Sequence, residues 1–285
     1  MTKHIRVGCE IRYEVSWPTP TVLQVQPRGD VVHHMLQETW ETTPHLFLHA
    51  FRDIYNNICQ RLVMPVGEQM VRYDALVEVS GEPDEVVADA VQMPVEDLPD
   101  DVLHYTLPSR FCLSDALSDA AWQLFGATEP GWGRVQAICD WVHSNIRFQY
   151  GTSTPLTTAA DVYERRVGVC RDFAHLAVTF CRALNIPARY VFGYLPDIDV
   201  PPPDDPMDFC AWMEVYLAGR WWTFDPRNNM PRIGRVLIGR GRDALDVAMV
   251  TTYGSPRLQS MTVWADEVQT ATTTANPATR EDNTE

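Results

Sequence analysis

Cys170 is a residue whose type and position could support covalent chemistry. It stands at the predicted start of a helix in the stretch GVCRDFAHL, two residues after Gly168, which allows the chain to approach the helix closely. A thiol at a helix N-terminus faces N–H groups without intrahelical partners and the positive end of the helix dipole, and both favour the thiolate. The same N–H groups can stabilise an oxyanion. Cys170 is therefore a candidate nucleophile for acyl transfer.

Four motifs surround this cysteine in a fixed order. They are GVCRDFAHL at 168–176, IPARYVFGYL at 186–195, AWMEVYL at 211–217 and WWTFDP at 221–226. Together, over roughly residues 110–240, they resemble the transglutaminase-like superfamily of papain-type fold. The resemblance implies a Cys–His–Asp triad, in which Cys170 matches the nucleophile and Asp225 the orienting acid.

The chain departs from this pattern at Cys210, which stands where the resemblance implies the triad histidine. Only His175 follows Cys170 in the sequence, and five residues along an ideal helix turn it about 140° away. We expect His175 to be a hydrogen-bonded structural residue, and nothing in the sequence supports His143 as a base. A missing general base typically costs about 10²- to 10⁴-fold in rate. Amide substrates should suffer most, and thioesters or activated esters least, because their leaving groups need no proton.

Three functions remain open from these residues. The first is a cysteine-nucleophile acyl-transfer enzyme of peptidase, amidase or transglutaminase type that acts on peptide or amide substrates through Cys170, Cys210 and Asp225. The second is a catalytically silent relative that binds a peptide-like partner. The third is a redox-sensitive Cys170–Cys210 pair, whose separation could suit a disulfide. We expect no metal or other cofactor, since two cysteines and one aspartate fall short of four zinc ligands.

The surrounding pattern predicts an α+β protein. Residues 1–106 alternate apolar and polar side chains with period two, as in MVRYDALVEVSG, which predicts an antiparallel β-sandwich. This region also resembles the leader domain that bacterial members of the family often carry. Residues 107–267 are predicted to form the transglutaminase-like core, with helices packed on an antiparallel sheet and Ser114 capping the first helix. Residues 268–285 have almost no apolar content and are predicted to be a disordered, acidic tail.

Composition disfavours several classes of partner and indicates the cellular compartment. A net charge of −15 disfavours binding to nucleic acid and to anionic membranes. The sequence contains no apolar run near the roughly 20 residues that a spanning helix needs, and its first residues carry scattered charges, unlike an export signal. Seven cysteines without a CxxC pair favour free thiols in a reducing cytoplasm. The expected partner is a peptide or protein substrate.

Overall fold

A computed structural model describes residues 2–29, 33–201 and 205–268 of the chain. The predicted tail lies outside the described residues apart from Val268. Within the described residues the five α-helices are α1 (Asp100–Leu103), α2 (Ser118–Phe125), α3 (Trp132–Asn145), α4 (Ala159–Arg165) and α5 (Cys170–Ala183). The strands are β1 (Thr2–Val15), β2 (Thr19–Leu23), β3 (His33–Thr43), β4 (His49–Arg52), β5 (Ile58–Met64), β6 (Gly67–Ser80), β7 (Arg147–Phe148), β8 (Val167–Gly168), β9 (Ala188–Tyr194), β10 (Cys210–Leu217), β11 (Arg220–Phe224), β12 (Val236–Gly241), β13 (Val250–Thr252) and β14 (Arg257–Glu267).

The N-terminal strands form two antiparallel sheets, ordered β14-β1-β6-β3 and β13-β2-β5-β4. Their period-two pattern buries alternate side chains, such as Ile5, Val7, Cys9 and Ile11 along β1. The predicted antiparallel sheets are therefore present.

The final two strands differ in their placement from the prediction, which put them in the core domain. β13 pairs with β2, so that Val250 lies opposite Leu23, and β14 pairs with β1, so that Val263 lies opposite Cys9. The alternation of a strand shows which side chains are buried but not which sheet receives it. The chain therefore returns to the N-terminal sheets after it has completed the core.

The core sheet has the order β11-β10-β9-β12 and carries α5 against it. β10 is buried along its whole length, and α5 covers one of its faces. Met213, Val215 and Leu217 pack with Leu176 and Phe180 of the helix. α+β architecture with helices on an antiparallel sheet is thus confirmed.

One apolar core joins the two parts of the molecule. Tyr190 and Phe192 of β9 belong to the same buried cluster as Ile5 and Val7 of β1. The Tyr194 hydroxyl donates a 2.8 Å hydrogen bond to the Val25 carbonyl oxygen. The N-terminal sheets therefore support the core sheet directly.

The start of α2 differs from the prediction. α2 begins at Ser118 rather than after Ser114, because residues 114–117 form a turn and Leu117 occupies the N-cap position.

None of the helices in the described ranges combines the length and the apolarity required to cross a bilayer.

Candidate active site

Cys170 is the first residue of α5, and close contacts of Gly168 and Val169 with Asp172 fix its position. The buried Asp172 carboxylate accepts a 2.8 Å hydrogen bond from the Val169 N–H, which caps the helix start. A Cβ on Gly168 would lie 2.7 Å from the Asp172 Cβ, so only glycine fits this approach without a shift. The sequence thus places the thiol at a helix N-terminus, as its pattern predicts.

Cys210 begins β10 and faces the same cleft as Cys170. It lies opposite Gly193 of β9, and its side chain packs with Trp212 and Leu237 against Cys170. The Cys170 sulfur is 3.8 Å from the Phe209 carbonyl oxygen. The cleft that both cysteines line has a volume of about 460 Å³, within the range of small-ligand sites. A larger cavity of about 770 Å³ includes neither cysteine.

The two thiols interact and titrate in opposite directions. A hydrogen bond from the Cys210 thiol lowers the pKa of Cys170, against the opposing effect of burial. The same hydrogen bond, together with burial, raises the pKa of Cys210 well above its ordinary value. The arrangement therefore favours a Cys170 thiolate held by a protonated Cys210.

Arg227 supplies positive charge to this pair. Its charge lowers the pKa of both Cys170 and Cys210, and their charges raise its own pKa. The guanidinium carbon lies 4.1 Å from the centre of the Phe148 ring, a cation–π contact that holds it in place. The backbone N–H of Ala211 also lowers the pKa of Cys170.

Asp225 follows β11 and is buried, with its carboxylate fully engaged. The backbone N–H groups of Arg227 and Asn228 donate to one oxygen, and the Asn228 side chain and Arg235 donate to the other. Burial alone would raise the pKa of Asp225, but the charge of Arg235 and the Asn228 hydrogen bonds keep it below its usual value. The negative charge of Asp225 in turn raises the pKa of Cys210.

Arg235 extends this network to the segment before the core. Its guanidinium binds Asp225 at 2.9 Å and Asp84 at 2.8 Å, and it lies 4.8 Å from the centre of the Trp212 ring. Asp84 follows the last N-terminal strand, β6, by four residues. A buried arginine thus ties Asp225 to the connection between the two parts of the chain.

The histidines lie outside the thiol pair. The His175 ring stacks on Phe111 and accepts a 3.1 Å hydrogen bond from the Ala244 N–H, as expected for a structural residue. Burial lowers its pKa well below the usual value. The His143 Nδ1 lies 2.7 Å from the Arg227 carbonyl oxygen and so supports the backbone beside Asp225.

A metal site does not emerge from these side chains. Within the parts of the chain that the structure describes, no group of three or more His, Cys, Asp or Glu residues is arranged to hold a metal ion. All seven cysteines are free thiols.

Sequence reasoning missed Arg227 and Arg235. Arg227 had a local signal, because it follows Asp225 by two residues in the motif FDPR. Arg235 had none, since its partners Asp84 and Asp225 are 151 and 10 residues away. Charge around the site is therefore assembled by tertiary contacts.

Comparison with known proteins identifies the family of this chain. The sequence model of the transglutaminase-like superfamily matches residues 120–226. The solved structure of a candidate cysteine protease from Cytophaga hutchinsonii has 32% identity and a TM-score of 0.87, covering 95% of this chain and 92% of that chain.

Two mycobacterial relatives extend the likeness. The uncharacterized protein Rv2569c of Mycobacterium tuberculosis is 30% identical over 216 residues, which are 69% of this chain and 68% of the relative. The uncharacterized protein ML0607 of Mycobacterium leprae is 35% identical over 118 residues, and this match spans 40% of the present chain and 42% of the relative. By fold, by motif order and by these relatives, the chain belongs to the transglutaminase-like superfamily.

Proposed function

We propose that this protein is an acyl-transfer enzyme with Cys170 as the nucleophile. The observation that carries the proposal is the position of Cys170 as the first residue of α5, packed against Cys210 in a cleft of about 460 Å³. The neighbouring Cys210 thiol lowers the pKa of Cys170 without any imidazole. A thiolate, rather than a thiol, is the attacking species in such chemistry.

The reaction proceeds in two steps. The Cys170 thiolate attacks the acyl carbonyl carbon, so that a carbon–sulfur bond forms and the bond to the leaving group breaks. N–H groups at the start of α5 can bind the oxygen on which negative charge develops. Water or an amine then attacks the thioester, loses a proton to solvent and regenerates the thiolate.

Cys210 and Asp225 take roles different from those of a histidine and its partner. Because the pKa of Cys210 is raised well above its ordinary value, this thiol remains a hydrogen-bond donor and is a poor acid. Asp225 contributes to that raised pKa and is itself anchored by Arg235. Thioesters and activated esters should therefore react faster than the peptide and amide substrates of the peptidase, amidase and transglutaminase types.

The proposed cellular compartment follows from the same two thiols. Two adjacent free thiols stay reduced in a compartment such as the cytoplasm, where we place the protein. The proposed substrate is an acyl group on a peptide, protein or ester. Nucleic acid is disfavoured as a partner by the net charge of −15.

Acylation of the protein by 4-nitrophenyl acetate tests this function. The expected result is release of 4-nitrophenolate with transient acetylation of Cys170, located by peptide mass spectrometry. Cys170→Ala should abolish both signals, whereas Cys59→Ala, which removes a buried thiol of the N-terminal sheets, should leave both unchanged. Equal nitrophenolate release by wild type and Cys170→Ala would overturn the proposal and favour a silent relative that binds a peptide-like partner.

A redox-sensitive pair is the second candidate, favoured by the contact between the two thiols. Hydrogen peroxide would oxidise the Cys170 thiolate to a sulfenic acid, and the Cys210 thiol would then displace water to form a disulfide. Mass spectrometry without reductant, after titration with peroxide, should show a Cys170–Cys210 crosslink at low peroxide excess. Oxidation of Cys170 to sulfinic acid without a crosslink would refute this role.

A further inference from the structure

The cleft beside the two thiols is lined mainly by apolar side chains. One wall is residues 244–250, which join β12 to β13, and we call this segment the cleft wall. Phe192 of β9 and Phe209 face the same space. The apolar residues of the cleft wall that line the space are Ala244, Val247, Ala248, Met249 and Val250.

Hydrogen bonds at both ends fix the cleft wall. Its first residue, Ala244, donates to His175 of α5 at 3.1 Å, and the neutral ring remains an acceptor because burial lowers the pKa of His175. At the other end the Met249 carbonyl oxygen accepts a 2.8 Å hydrogen bond from the Gln24 N–H. Val250 continues into the pairing of β13 with β2. The N-terminal sheets therefore hold a wall of the candidate site.

The charged side chains of the cleft are engaged by neighbours. Arg171 forms an ion pair with Asp172 at 3.2 Å and donates to the Thr154 carbonyl oxygen at 2.8 Å. The Asp208 carboxylate accepts a 2.7 Å hydrogen bond from the Phe209 N–H, and burial raises its pKa. A substrate in this space would therefore meet apolar surface and charges that already have partners.

We propose that the cleft wall forms an acyl-binding subsite that selects apolar acyl groups of several carbons over acetyl or polar ones. This inference rests on the proposed function, since the acyl carbonyl must reach Cys170. Binding of the apolar chain against Val247, Met249 and Phe192 would remove it from water. Each methylene that becomes fully buried should raise kcat/KM about fourfold.

The test compares 4-nitrophenyl acetate, butyrate and hexanoate at matched concentrations. Wild type should acylate faster as the chain lengthens, with hexanoate exceeding acetate by roughly 10- to 200-fold in kcat/KM. Met249→Gln, a polar change of similar size, should flatten this dependence of kcat/KM on chain length. The matched control is Leu245→Gln, which alters an exposed residue of the same segment outside the cleft lining.

A second substitution keeps the subsite testable if Met249→Gln fails to fold. Ala248→Phe should narrow the cleft, so that the ratio of kcat/KM for hexanoate to kcat/KM for acetate falls more than tenfold. Acylation of Cys170 at equal rates by all three esters would overturn the subsite and leave the proposed function standing. Absence of acylation by any ester would instead overturn the proposed function.

Discussion

Replacement of Cys210 by alanine should raise the pKa of Cys170. The Cys210 thiol packs against Cys170 and is the largest influence that lowers the Cys170 pKa. A hydrogen bond to a charged group contributes about 1.5–3 kcal/mol, and a thiol, as a weak donor, belongs near the lower limit. About 1.4 kcal/mol corresponds to a factor of ten in an equilibrium constant, so we expect the Cys170 pKa to rise and the thiolate fraction below that pKa to fall roughly tenfold.

Iodoacetamide labelling between pH 5 and 9, quantified for each cysteine by mass spectrometry, measures this shift. In wild type the Cys170 labelling rate should rise at lower pH than for an ordinary thiol, and in Cys210→Ala this rise should move to higher pH. Cys210→Ser is the matched control, because a hydroxyl keeps the donor and should preserve most of the lowered pKa. An unchanged midpoint in Cys210→Ala would refute Cys210 as the cause and leave Arg227 and the Ala211 N–H as the remaining influences that lower the pKa.

Three further changes test other parts of the site. Cys210→His should raise hydrolysis of a peptide amide by about 10²-fold or more, because it supplies a general acid and base; activity toward a chromogenic peptide anilide measures this. His175→Gln should make the protein less sensitive to acid. In wild type the unfolded chain gains a proton on His175 below about pH 6.5 while the native ring, with its lowered pKa, does not, so the free energy of unfolding falls by up to about 1.4 kcal/mol per pH unit. Denaturant unfolding from pH 7.5 to 5 measures this dependence. Gly168→Ala should cost about 1–3 kcal/mol, because the added Cβ meets Asp172 at 2.7 Å; the denaturant midpoint reports it.

A specific result would contradict each of these three predictions. An inactive but folded Cys210→His variant would mean that other parts of the amide machinery are absent as well. Parallel pH profiles for wild type and His175→Gln would show that the native histidine takes up a proton. For Gly168→Ala the control is Gly133→Ala in α3, where an added Cβ meets nothing within 4 Å. A stability loss of equal size in both glycine variants would exclude the contact with Asp172 as the cause.

The sequence by itself was sufficient for the local parts of the site. The helix that begins at Cys170, the strand that begins at Cys210 and the position of Asp225 after β11 all follow from motifs of fewer than a dozen residues. Such features depend on capping, periodicity and turn residues, which act over one or two turns of chain. The predicted start of α2 was wrong by three residues because a favourable capping residue, Ser114, lies in a turn that tertiary packing buries.

Tertiary contacts determined the ionisation of the site residues and the walls of the cleft. Whether the Cys170 thiol ionises depends on Cys210, 40 residues away, and on Arg227, which lies beyond a further strand. The connection of Asp225 to Asp84 through Arg235 spans more than 140 residues. The cleft wall is held by a strand from the opposite end of the chain, since β13 pairs with β2. Sequence patterns report which side chains prefer burial or charge, whereas pKa values and cavity walls depend on which distant groups the fold brings within a few ångströms.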